Sequence, residues 1–253
     1  MSKTAVVWGI GEIGSVFARG LMRLGYTIVP VTSSADPEVI AKATPSPELV
    51  LIAVGEATLQ SVLSSLPAVW ADKVGMIQNE LLPVDWQKHP LENATVVSVW
   101  FEKKKGMDAK PVISSPAWGP HAATLVQALN ALDIPAHEVA TLEDMTYELV
   151  RKNVYIISTN VAGLKVGGNV AELWANHEDF ARDVVSDVID IQEVLVGESL
   201  PTERLITGML EAFDGDPNHG CMGRSAPARL ARAITQADTA SLATPTLREI
   251  AKL

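Results

Sequence analysis

The sequence predicts an α/β fold, a sheet of parallel strands covered by helices, followed by an all-helical domain. From Thr4 to Val139, short apolar runs alternate with stretches of helical period, the pattern of repeated strand–helix–strand units. From Glu143 to Leu253 the strand-like runs cease and long helical stretches take over. The boundary is therefore set between residues 142 and 143, giving domains 1–142 and 143–253.

The elements follow in order. Thr4 to Trp8 is an apolar run suited to a strand buried on both faces. Glu12 to Leu24 carries Ile13, Phe17 and Leu21 at helical spacing, with Gly25 as its stop. Strands are predicted at Tyr26–Val31, Leu49–Val54, Val74–Ile77, Thr95–Phe101, Pro111–Ser114 and Ala136–Val139, and helices at Thr58–Leu66 and His121–Leu132. Trp118-Gly119-Pro120 reads as a turn into the helix at His121. Beyond the boundary, breaks are predicted at Gly167-Gly168, at Gly197 to Pro201 and at Asp214 to Gly223. Lys103-Lys104-Lys105 reads as a solvated turn, and the six tryptophans as core and interface anchors.

Composition narrows the function. The chain has 253 residues, 47% of them hydrophobic, and a net charge of −10, which argues against a nucleic-acid partner. The single cysteine, Cys221, forms no internal disulfide and fits a reducing cytoplasm. No apolar run reaches the roughly 20 residues that cross a bilayer. The first residues read as a strand and a glycine turn rather than a signal peptide. A cytoplasmic protein without membrane partners is expected.

The most informative motif is Gly9-Ile10-Gly11-Glu12-Ile13-Gly14, a G-x-G-x-x-G that follows the first strand and opens the first helix. In that context Gly9 makes the tight turn, Gly11 lets the backbone approach a diphosphate, and Gly14 packs helix on strand. The diphosphate then meets the N–H groups and dipole of a helix N-terminus. This is a Rossmann-type dinucleotide site, and ligands in such sheets lie beyond the carboxyl ends of the strands, where Val54 and Gly55 also fall. NAD sites place a carboxylate about 20 residues on, at the end of the second strand. Here Thr32, Ser33 and Ser34 stand there instead, with no acid before Asp36 and no arginine in the loop. NADP is favoured over NAD.

Further along, Gln78-Asn79-Glu80 and the stretch Lys152-Asn153-Val154-Tyr155-Ile156-Ile157-Ser158-Thr159-Asn160 resemble signatures of the ketopantoate reductase (2-dehydropantoate 2-reductase) family. The resemblance continues through Gly167-Gly168-Asn169, Gly223-Arg224-Ser225 and Thr244-Pro245. It implies that Asn79 stands at the family's Asn-Gly turn, with Glu80 in place of the glycine. It implies that Lys152 is the catalytic lysine and Asn160 the second of two active-site asparagines, with Ile156 replacing the first. A second alignment, begun from Tyr147, puts Leu149 at the lysine position and Asn153 at the first asparagine. The lysine usual after the third strand is replaced by Val54-Gly55-Glu56, and Ser225 stands where the family has a substrate-binding glutamate. The resemblance also implies a dimer formed through the helical domain.

Helical geometry gives Lys152, Ile156 and Asn160 one broad face, because positions four apart drift only ~40°. A lysine near a nicotinamide can donate a proton to a carbonyl oxygen, and partial burial lowers its pKa toward a useful range. The alternative is that Lys152 is a surface residue beside Arg151. Arg224 is a candidate for binding a substrate carboxylate bidentately. Asp216 to Cys221 offers three possible metal ligands but no second pair, so it reads as a helix-connecting loop, the alternative being a substrate contact by His219 or Arg224. No compelling base lies near Cys221 in sequence, which argues against a nucleophile. The expected function is an NADP-dependent reductase of a small 2-oxo acid or related carbonyl substrate, its active site in the cleft between the domains. Loss of the expected polar positions motivates a second reading, a dinucleotide-binding sensor or interaction protein without catalysis.

Overall fold

A computed structural model describes residues 3–91 and 93–253. The chain divides into two compact units between Leu149 and Val150.

In the first unit β1 (Thr4–Trp8), α1 (Glu12–Arg23), β2 (Thr27–Val31), α2 (Pro37–Ala43), β3 (Leu49–Ile52), α3 (Glu56–Ser64), β4 (Val74–Met76), α4 (Pro83–Gln87) and β5 (Thr95–Val97) follow one another. The chain continues through β6 (Phe101–Glu102), β7 (Lys110–Pro111), β8 (Ser115–Trp118), α5 (Ala122–Asn130) and β9 (Ala136–Glu138). Seven strands form one sheet in the order β2-β1-β3-β4-β5-β8-β9, while β6 and β7 form a separate ribbon. The sheet is parallel except where β8 runs antiparallel to β5. β1 and β3 are buried almost throughout, so their sequences are apolar runs rather than alternations. α1 and α5 supply Val16, Phe17, Leu21, Leu125 and Leu129 to the core beside Leu49 and Leu51. Trp8, Trp70, Trp86 and Trp100 are buried.

Two expected strands fall differently. Thr95–Phe101 is two strands, because after Val97 the chain leaves the sheet and the Trp100 N–H donates to the Ser115 hydroxyl (2.9 Å). The sheet strand expected at Pro111–Ser114 is Ser115–Trp118, so Trp118 ends a strand and the turn begins at Gly119. Between β5 and β8 the chain forms the antiparallel β6–β7 ribbon rather than the crossover helix that usually joins parallel strands, and β8 pairs antiparallel with β5. Helices α2 and α4 escaped the sequence reading because each is one or two turns long. Both begin with proline in the first turn, and the Asp36 carboxylate accepts the Glu38 N–H (2.9 Å) to cap α2.

The second unit is helical. Helix α6 (Leu142–Val166) starts within the first unit and is followed by α7 (Val170–Val196), α8 (Thr202–Gly215), α9 (Ala226–Thr239) and α10 (Pro245–Ile250). α7 opens with a reciprocal cap between Asn169 and Glu172, directly after the Gly167-Gly168 break. The loop before α9 is pinned to this start, because Val170 N–H donates to the His219 carbonyl and Cys221 N–H to that of Gly168, both at 3.0 Å. Gly163 lets the loop lie on α6, since a Cβ there would come within 2.8 Å of the Cys221 carbonyl carbon.

Asp187 of α7, 5% exposed, accepts the Leu247 N–H (3.0 Å) at the start of α10. Burial raises its pKa, while hydrogen bonds from the Leu247 and Thr246 backbones oppose the rise. Asp187→Ala leaves a buried N–H without its acceptor, so chemical denaturation should show a loss of about 1–3 kcal/mol. An unchanged midpoint would refute that role.

Candidate active site

The sheet order places its switch point at β1, with β2 on one side and β3 on the other. The turn that leaves β1 there is the glycine motif. Gly9 has φ +101°, and a Cβ on it would lie 2.6 Å from the Ala53 carbonyl oxygen. At Gly14 a Cβ would fall 2.0 Å from the Gly9 oxygen, whereas at Gly11 it would meet no atom within 4 Å. Turn, close packing and an open face are thus divided among the three glycines. Gly11 is the N-cap of α1, and no side chain caps that helix, whose bonding begins with Ser15 N–H to the Gly11 carbonyl (2.9 Å). First-turn N–H groups beside open space fit the diphosphate of a dinucleotide.

Neighbouring strand ends converge on this turn. Gly9 N–H donates to the Val31 carbonyl (3.0 Å), which brings Thr32, Ser33 and Ser34 beside it as exposed residues, the Thr32 and Ser34 hydroxyls 3.3 Å apart. Val54 and Gly55 follow Ala53 on the other side, and a Cβ at Gly9 would lie 3.2 Å from Val54 Cγ1. Ile10 is 41% exposed, and Ile13 is half-buried against the core. Gln78, to which the sequence assigned no role of its own, is buried just beyond β4 and donates to the carbonyls of Ile52 (2.7 Å) and Val54 (3.3 Å). Asn79, half-buried, comes next.

Lys103 corrects the reading of its cluster. Lys104 and Lys105 are exposed, but Lys103 has a side chain only 15% exposed, paired with Glu12 at 3.1 Å. It balances an acid that stands in the first turn of α1, where an anion would otherwise be repelled.

The other predicted residues lie in the second unit. Lys152 is partly buried, its Nζ 5.5 Å from the Tyr155 ring centroid. Burial first, and then the charge of Arg229, push its pKa down to about 7. Arg151 beside it behaves as a structural residue, donating to the Gly208 carbonyl (3.0 Å) and pairing with Glu211 (2.7 Å). Asn160, 6% exposed, accepts at Oδ1 from Arg229 Nη1 (2.8 Å). Asn153 donates to Gln192 of α7 (3.0 Å) with both residues buried, a tie between helices. Arg229 was not singled out by sequence, yet it lies on the apolar stripe of α9 with Ala226, Ala233 and Ala237. An arginine in that stripe is the signal that marks it.

Arg224 and Ser225 are exposed, and Ser225 takes the N-cap position of α9 without a side-chain cap bond. Cys221 is buried, and its thiol is pushed up to about 11, first by burial and then by Glu172, so it is a poor nucleophile at neutral pH. Among the described residues no group of His, Cys, Asp or Glu side chains gathers to hold a metal, and no helix is long and apolar enough to cross a membrane. An open groove of about 890 Å³, lined by Trp86 and Trp118, sits at the amino end of β5 and so at the edge opposite the glycine turn.

No protein-family model matches the chain, and no curated protein matches it in sequence. Solved structures do. The 2-dehydropantoate 2-reductase of Methylococcus capsulatus matches with a TM-score of 0.70, covering 98% of this chain and 94% of that one at 15% identity. D-Mandelate dehydrogenase, solved with NADH, matches at 0.68, with 98% and 96% coverage and 15% identity. The dimeric ketopantoate reductase of Staphylococcus aureus matches at 0.61, with 98% and 96% coverage and 17% identity. The fold is that of the ketopantoate reductases. Within the ketopantoate reductase fold the Asn79-Glu80 turn is informative, because Glu80 has φ +60°. Glu80 thus adopts the left-handed backbone that favours glycine.

Proposed function

We propose that this protein is an NADP-dependent reductase of a small 2-oxo acid or related carbonyl compound. The observation that carries the reading is Lys152, a partly buried amine whose pKa near 7 suits it to exchange a proton at neutral pH. Gly9 to Gly14 hold the dinucleotide diphosphate, helped by Lys103, which neutralises Glu12. Thr32, Ser33 and Ser34 take the 2′-phosphate. Asp36, the nearest acid, is committed to capping α2, which favours NADPH over NADH. Val54 and Gly55 border the same site.

The bound nicotinamide supplies the hydride that reduces the carbonyl carbon. As negative charge builds on the carbonyl oxygen, Lys152 Nζ gives it a proton, and the neutral amine regains one from solvent. Asn79 and Asn160 position the substrate, while Arg224 and Ser225 offer further polar contacts. Solved neighbours that include a dehydrogenase with NADH and a dimeric reductase support a nicotinamide cofactor and a homodimer. The single buried cysteine fits a cytoplasmic setting.

Calorimetry with NADPH and NADH, followed by NADPH oxidation over a panel of 2-oxo acids, tests the reading. Binding with a preference for NADPH, and oxidation that depends on an acid, are expected. Affinity for neither dinucleotide would overturn it, and binding without oxidation would favour a sensor.

A further inference from the structure

Within the sheet the strands β2, β1, β3 and β4 stand side by side in that order, and the glycine turn leaves β1. A dinucleotide with its diphosphate on that turn and its 2′-phosphate at Thr32 to Ser34, past the end of β2, extends its other half over the ends of β3 and β4. Those two ends are joined by one side chain. The ladder between β3 and β4 stops at the pair Ile52 and Met76. Just beyond it Gln78, 6% exposed, donates from Nε2 to the carbonyls of Ile52 (2.7 Å) and Val54 (3.3 Å) and accepts the Ile77 N–H at Oε1 (3.1 Å). The partners fix the orientation of the amide, since a carbonyl only accepts and an N–H only donates. Two turns are held in this way. One follows β3, and its Ala53 oxygen and Val54 Cγ1 would lie 2.6 Å and 3.2 Å from a Cβ on Gly9. The other follows β4 and opens with Asn79.

Resting on the reductase reading above, we propose that Gln78 is a positioning residue for the nicotinamide half of the cofactor. Its amide sets the spacing between the Val54-Gly55 turn and the Asn79 turn, so that the nicotinamide ring and the carbonyl it reduces meet at a fixed separation. Gln78 acts through these two turns. The diphosphate and 2′-phosphate contacts, which lie over β1 and β2, do not depend on it.

A cofactor fragment without its nicotinamide separates this role from a general contribution to folding. The measurements are calorimetric affinities for NADPH and for 2′-phospho-ADP-ribose, which shares the diphosphate and the 2′-phosphate, together with kcat and KM for a 2-oxo acid. The wild type should favour NADPH. Gln78→Met should lose about 5- to 30-fold in affinity for NADPH while its affinity for the fragment stays within about twofold of wild type, and its kcat should fall more than its KM for the acid rises. Gln78→Met leaves two carbonyls and an N–H without their partner, so Gln78→Glu provides a second measurement. Its carboxylate cannot donate to the carbonyls, whereas its protonated form gives one hydrogen bond back, and burial raises the pKa of such a group. The ratio of NADPH affinity to fragment affinity should therefore be low at about pH 8.5 and recover at about pH 6. The 2′-phosphate titrates alike in both ligands, so the wild-type ratio should stay flat. The kcat of Gln78→Glu relative to wild type should follow the same course.

A folded Gln78→Met protein that keeps both affinities, or loses both in the same proportion, would reduce Gln78 to a structural tie and overturn the assignment. So would a Gln78→Glu ratio that does not change with pH, or a wild type that binds the two ligands equally. The reductase reading fails differently. NADPH bound by the wild type but oxidised by no acid would end that reading, while a selective loss of NADPH affinity in Gln78→Met would still uphold the role of Gln78 toward the nicotinamide.

Discussion

Lys152→Met should lower the turnover of carbonyl reduction by about 10²- to 10⁴-fold, the usual contribution of a positioned acid, with little change in NADPH affinity. Reduction uses the ammonium, and its pKa lies near 7, so the wild-type rate should fall with rising pH above that point. The limb should vanish in Lys152→Met. The same substitution carries a stability signature of defined sign. The folded-state pKa is depressed from 10.5 to about 7, so between those values the folded state binds fewer protons than the unfolded one. Stability should therefore rise with pH through this window, and the cost of the buried ammonium should be present in full below it. Because part of the side chain meets solvent, a gain of about 2 kcal/mol at pH 6 is expected for Lys152→Met, less than the whole shift would give. A less active protein that is more stable at pH 6 marks a functional buried lysine. Full turnover in Lys152→Met would remove it from the mechanism.

The glycine motif provides the second large effect, because its three members fail for different reasons. Gly14→Ala would drive a Cβ to 2.0 Å from the Gly9 carbonyl oxygen, an overlap between backbone and side chain that no rotamer relieves. A loss of about 3 kcal/mol or more is expected, with dinucleotide binding lost as the turn shifts. Gly11→Ala should behave in the opposite way. Its backbone, at φ −81° and ψ −164°, suits any residue, and the new methyl group meets no protein atom within 4 Å. Denaturation midpoints should barely move, whereas NADPH affinity should drop about 100-fold because the methyl group takes the place of the diphosphate. Thermal unfolding and calorimetry on the two variants give the contrast. A stable Gly11→Ala protein with undiminished NADPH affinity would show that the open face over this turn is not where the diphosphate lies.

The sequence by itself determined the features that depend on short range. β1, the turn and α1 are legible because the strand is an apolar run, the glycines have fixed spacing and the helix repeats every three to four residues. The change to a helical second half is legible for the same reason. Lys152 and Asn160 are placed on one face by a spacing of eight within a single helix. The antiparallel β8 was misjudged because apolar alternation does not state direction, and the Ser115 hydroxyl that receives the Trp100 N–H is a side-chain contact with no local pattern. Only the tertiary structure brought Lys103 to Glu12 across 91 residues, Arg229 to Asn160 across 69, and Gln78 to the carbonyls that end β3. Periodicity reports which face of an element is buried. It does not report which charge from a distant element will meet that face. The dinucleotide turn is written in a run of six residues, whereas the charge around Asn160 is set by the packing of α9 against α6.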